Sequence, residues 1–154
     1  MTKKGDFNAD EWSTVVEGPL LAGALVIKAG KGGTLRESLA LGKVYSHARE
    51  QQDHSELLDD LVSAPPVLEG KRLQSGEDLA TVVTQGLRDA LQILEAKATT
   101  DEIDAYKRFV FALAQAAANA HKEGGFLGIG GKNVSEGEQA ALDEIAAVLD
   151  TEAV

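Results

Sequence analysis

The chain has 154 residues, 44% of them hydrophobic and 26% charged, an ordinary globular composition that excludes a disordered or fibrous class. Its 25 Asp and Glu against 15 Lys and Arg give a net charge of -10, a surface that repels phosphate backbones and anionic lipid, so no nucleic-acid partner is expected. With no cysteine, disulfides, thiolate metal sites and cysteine nucleophiles are excluded.

The length is one domain's worth, so 1–154 reads as a single helical domain. The longest uncharged apolar runs, GPLLAGALVI (18–27) and FVFALAQAAANA (109–120), fall short of the ~20 residues that cross a bilayer. No membrane span is therefore expected. Trp12 and Glu17 break any signal-peptide core, and the expected location is the cytoplasm.

Apolar residues recur with helical period nearly throughout, and no stretch alternates like a strand. The first helix is expected over about 9–30, capped by Asn8, with Asp10 and Glu11 suiting its positive end. Its inward stripe is Trp12, Val15, Val16, Leu20, Gly23, Val26 and Ile27. Gly18-Pro19 predicts a kink or break, because proline removes a backbone hydrogen bond. A second helix opens at Thr34, where TLRE forms a capping box with Glu37, and buries Leu35, Leu39, Leu41, Val44, Tyr45 and Ala48.

A short third helix near 54–63 offers Leu57, Leu58, Leu61 and Val62, and SAPPVLEGKRLQSG (63–76) is a linker held extended by two prolines. The fourth helix, about 76–98, has the stripe Leu79, Val82, Val83, Leu87, Ala90, Leu91 and Leu94. TTDE at 99–102 is a capping box that opens a fifth helix, about 100–122, carrying Ile103, Tyr106, Val110, Leu113 and Ala117. Ser135 and Glu138 cap a sixth, about 136–149, which buries Leu142, Ile145 and Leu149. The fold class is all-α, a compact bundle of about six helices.

The chain reads as the same helix-loop-helix unit twice, about 9–51 and 100–150. With Thr34 set on Ser135, Glu37 meets Glu138, Leu41 meets Leu142, Val44 meets Ile145 and Ala48 meets Leu149. Upstream, AGALVIKAGKGG and AAANAHKEGG each end an Ala-rich helix in a Lys/Gly turn. Two units of this form resemble the TerB-like fold of tellurite-resistance proteins, which implies a helical bundle and a stress-response setting. That family carries Asp-Gly and further carboxylates in its turns, thought to hold a metal. Here the turns read Gly30-Lys31-Gly32-Gly33 and Glu123-Gly124-Gly125, so the resemblance carries over the fold and not the metal site. The EGGFLGIGGKNVSEGE stretch is also similar to a signature of uncharacterised bacterial helical proteins, which implies no activity.

Candidate chemistry is sparse. A P-loop needs glycine where Phe126 stands, Ser or Thr where Asn133 follows Lys132, and a strand upstream; a dinucleotide fingerprint needs glycine at Asn133. Neither nucleotide motif is met. His47, Glu50 and His54 would share one face if a helix ran through them, a spacing that suits a divalent metal. A break at Asp53, with Asp53 and Ser55 capping the next helix, swings His54 away, and a solvated helix end is the favoured reading. No metal, no cofactor and no catalytic constellation is expected. The expected function is a non-enzymatic interaction module with an unidentified protein partner; the alternative is a bundle that binds a small apolar ligand or a metal ion.

The one unusual stretch is the glycine loop around Phe126, Leu127 and Ile129. Three large apolar side chains with no charge among them are costly to leave in water, at ~25 cal/mol per Å². The favoured reading is a lid on the bundle's own core, the other a docking surface. A lid predicts that Phe126→Ala costs roughly 3–5 kcal/mol in urea melts. A shift under ~0.5 kcal/mol, the range of surface substitutions, would sink it.

Overall fold

The structure, a computed structural model, describes residues 2–30, 34–50, 55–63, 78–123 and 136–149. Among them are six α-helices: α1 (Ala9–Gly30), α2 (Thr34–Glu50), α3 (Glu56–Ser63), α4 (Leu79–Lys97), α5 (Thr100–Glu123) and α6 (Glu136–Leu149). A short 3-10 turn, Lys4–Asp6, precedes them, and the described residues contain no strand. The all-α class follows directly, with helix bounds close to those the periodicity implies.

The caps explain why the helices start where they do. Asn8 Oδ1 accepts the Glu11 N–H (2.8 Å) while the Glu11 carboxylate accepts the Asn8 N–H (2.9 Å). Phe7 then stacks beside Trp12, ring centroids 5.5 Å apart, closing a hydrophobic staple across the first turn of α1. Thr99 and Glu102 form the same reciprocal pair at the start of α5 (2.9 and 3.3 Å). Ser55 caps α3 through the Leu58 N–H at 3.3 Å. The capping boxes expected at Thr34 and Ser135 involve side chains outside those described.

α1 is the central element. It packs on α4, α5 and α6, and its residues from Gly18 to Gly23 are buried without interruption. A one-sided stripe is therefore too narrow a description: Leu21, Ala22 and Leu25 are buried as well, while Trp12, Val16 and Ile27 are only half-buried. The stripes of α3 and α4 lie inward as their spacing implies, with Leu79 at the edge of the core. α5 adds Phe109, Ala114 and Ala118 to its expected set, and its small side chains let α1 and α2 lie against it. At the far end, a Cβ on Gly137 would stand 3.0 Å from the Ala29 carbonyl oxygen. The first turn of α6 thus rests on the last turn of α1, bringing helix ends of opposite partial charge together.

Pro19 does not interrupt α1. Without an N–H, Pro19 leaves the Val15 carbonyl short of its donor four residues on. The Tyr106 hydroxyl supplies that bond from α5 at 2.6 Å. Gly18 makes room for it, since a Cβ there would lie 2.2 Å from the Tyr106 oxygen. Gly-Pro in this helix is a socket for a tyrosine.

The socket makes a coupled prediction. Tyr106→Phe should cost about 1–3 kcal/mol, because it leaves a buried carbonyl unpaired. Gly18→Ala should be strongly destabilising in the wild type and markedly less so in the Tyr106→Phe background, where the clashing oxygen is gone. Urea melts of the four proteins decide it, and strictly additive costs would contradict the socket.

Candidate functional site

Two clusters of buried or hydrogen-bonded polar groups stand out among the described residues. The first joins the amino-terminal residues to the α4–α5 turn. The Thr2 N–H donates to Glu102 Oε1 at 2.8 Å, and the Thr2 hydroxyl donates to the Lys97 carbonyl at 3.1 Å. Thr2 and Glu102 are 6% and 4% exposed, so the bond between them is shielded from water. Burial works against the charged form of Glu102, but hydrogen bonds from Thr2 and Thr99 outweigh it and hold the carboxyl below its ordinary value.

Lys97 gathers the surrounding groups. Its ammonium donates to Glu11 Oε2 at 2.6 Å and to the Asp6 carbonyl at 3.0 Å, and it sits 5.5 Å from the centre of the Phe7 ring. The hydrogen bond from Lys97, with that from the Asn8 backbone, lowers the Glu11 pKa. The Lys4 N–H completes the cluster by donating to Asp60 Oδ2 on α3 at 2.8 Å.

The second cluster is the buried tyrosine pair. Tyr106 is fully buried with its hydroxyl on Val15, and burial, reinforced by Tyr45, pushes its pKa well above the usual phenol value. Tyr45, on α2, meets Phe109 edge to face, centroids 5.2 Å apart at 88°. Burial raises the Tyr45 pKa too, against a small opposing effect of Arg49. Its hydroxyl has no hydrogen-bond partner, alone in this among the buried side-chain polar atoms of the described residues. Arg49 itself reaches across to α3, where its Nε donates to the Val62 carbonyl.

Of the residues singled out by sequence, Phe126, Leu127 and Ile129 lie outside the described residues, as do both Lys/Gly turns beyond Gly30 and Glu123. His47 and Glu50 are exposed in the last turn of α2, which ends at Glu50; His54 lies outside the described residues and Ser55 caps α3. Among the described residues no group of three His, Cys, Asp or Glu side chains could hold a metal ion. One described helix, α1 over Ala9–Ala29, is long and apolar enough to cross a membrane by length and composition. More than half of that window, 56%, is buried in the bundle, as befits a core helix.

Sequence reasoning missed the amino-terminal cluster. A local signal existed, since Phe7-Asn8 followed by Glu11-Trp12 spells a capping box with a hydrophobic staple. The Thr2–Glu102 bond had none, because it joins residues 100 apart. Comparisons with known protein families, with curated proteins and with solved structures find no match for the chain.

Glu102 gives a pH signature with a fixed sign. Its folded pKa lies below the ordinary glutamate value of 4.5, so the stability it contributes is fully present above that value and is lost as pH falls through the folded pKa. The stability gap between wild type and Glu102→Gln should therefore stay constant from neutral pH downward and close only in the acid range below 4.5. A gap that closed near neutrality would contradict the assignment.

Proposed function

We propose that this protein is a non-enzymatic cytoplasmic module that acts by binding a protein partner, in the stress-response setting that its TerB-like pattern implies. What supports the reading is where three of the buried polar groups go. The Tyr106 hydroxyl, the Glu102 carboxylate and the Thr2 hydroxyl all bond backbone groups of this chain, so they are spent on holding the fold. The outward face is acidic, with Asp143 and Glu144 adjacent and exposed on α6, and a net charge of -10 favours a basic partner. The same charge disfavours nucleic acid and anionic membranes.

The duplicated reading belongs with this proposal. α2 packs chiefly on α5, the first helix of the other unit, and α6 packs on α1 as well as on α4 and α5, while α1 and α5 pack on each other. Reciprocal packing of this kind is what two related helix-loop-helix units exchanged across a pseudo-twofold axis would produce.

The test is native mass spectrometry of the tagged protein after crosslinking in cells. The reading expects a discrete complex with one protein, and Asp143→Lys with Glu144→Lys should weaken it tenfold or more without lowering the melting temperature. A chain that stays alone under these conditions would overturn it.

A second reading, a bundle that binds a small apolar ligand, draws on Tyr45, whose buried unpaired hydroxyl would suit one polar atom of such a molecule. Without ligand, Tyr45→Phe should be as stable as the wild type or up to about 1 kcal/mol more so, because it removes an unsatisfied buried group. On this reading, thermal-shift screening against fatty acids and small aromatics should stabilise the wild type and not Tyr45→Phe. Equal shifts for both proteins would remove Tyr45 from the account.

A further inference from the structure

The amino-terminal residues are fastened unlike any other packed segment described. Between Thr2 and Phe7 there is one large apolar anchor, the Phe7 ring, which is 8% exposed. The remaining attachments across to the bundle are polar: Thr2 to Glu102 and to the Lys97 carbonyl, Lys4 to Asp60, and Lys97 to the Asp6 carbonyl. Lys3, Lys4, Gly5 and Asp6 are themselves exposed. The segment bridges α3, the end of α4 and the start of α5.

We propose that residues 2–7 form a strap that opens as a unit while the helical bundle stays folded, with the Glu102 carboxylate as its catch. Opening lifts Phe7 from beside Trp12 and frees α3 from its tie at Asp60, so the strap controls an apolar patch at one end of the bundle.

Three observations lead there. The first is the balance of terms. Ordering six residues costs backbone entropy at each one, and it is offset by a few hydrogen bonds and one buried ring. Segments so poised open locally, far below the free energy of global unfolding.

The second is the division of labour at Glu102. Oε2 completes the capping box with the Thr99 N–H, and Oε1 takes the Thr2 N–H. Release of Thr2 therefore leaves the start of α5 capped, and the helix has no reason to unwind with the strap.

The third is the internal order of the segment. The Lys3 N–H donates to the Asp6 carboxylate at 2.9 Å, and the Asp6 and Phe7 amides donate back to the Lys3 and Lys4 carbonyls at 2.9 and 3.1 Å. These bonds keep the turn together, so it moves as one piece about the Asn8 cap.

Hydrogen exchange on the full chain tests the strap, with trypsin cleavage after Lys3 and Lys4 as a second readout. In the wild type the amides of Thr2 and Lys4, whose acceptors lie on α5 and α3, should exchange at least about tenfold faster than those in the middle of α1 and α5. Glu102→Gln keeps one acceptor oxygen but not two, and should speed strap exchange and cleavage by roughly a further tenfold, since a hydrogen bond to a charged group is lost. Core rates in α1 and α5 should not change. Asp60→Ala, which touches no cap, should speed strap exchange several-fold. It decides the matter alone if Glu102→Gln fails to fold. Strap amides that exchange in step with α1 and α5, or strap rates that neither substitution alters, would overturn the proposal.

Discussion

A proline in the middle of a helix leaves one carbonyl without its donor, and the arrangement of this bundle turns on how that carbonyl is satisfied. The Val15 oxygen faces α5 and takes the Tyr106 hydroxyl. Three residues share the work, since Pro19 frees the acceptor, Gly18 clears the space and Tyr106 brings the donor. Because α4, α5 and α6 all pack on α1, a bond that fixes α5 against α1 at one point constrains the others. Its burial also raises the tyrosine's pKa well above the ordinary phenol value, which favours the protonated, donating form.

The helix ends show the same economy. Glu11 closes the capping box of α1 and receives Lys97 from the end of α4; Glu102 closes that of α5 and receives Thr2. Each acidic side chain therefore satisfies a local orphan donor and ties a distant segment. Two of the chain's many carboxylates acquire structural roles in this way, while Asp143, Glu144 and others remain on the surface.

Much of the fold was legible in the sequence because its signals are local. Asn8 and Thr99 announce helix starts, apolar spacing marks the inward faces of α3 and α4, and Ser55 explains where α3 begins. What was not legible depends on pairs distant in sequence. Gly18-Pro19 reads locally as a helix breaker, and only the approach of Tyr106, 91 residues away from Val15, turns it into a joint. The breadth of burial on α1 likewise follows from having neighbours on several sides, which no single stripe reveals. Glu102 could be read as a cap but not as an anchor for Thr2. The candidate site suffers most from this limit, since Tyr45 looks like any core aromatic until its hydroxyl is found unpaired.

The central claim is that Tyr106 stands in for the N–H that Pro19 lacks. A double-mutant cycle between Pro19→Ala and Tyr106→Phe, read from urea melts, tests it most directly. Alanine at position 19 restores the backbone donor. Tyr106→Phe should therefore cost about 1–3 kcal/mol in the wild type and less than half as much in the Pro19→Ala background. An equal cost in both backgrounds would contradict the account, because the tyrosine would then contribute through something other than the orphaned carbonyl of Val15.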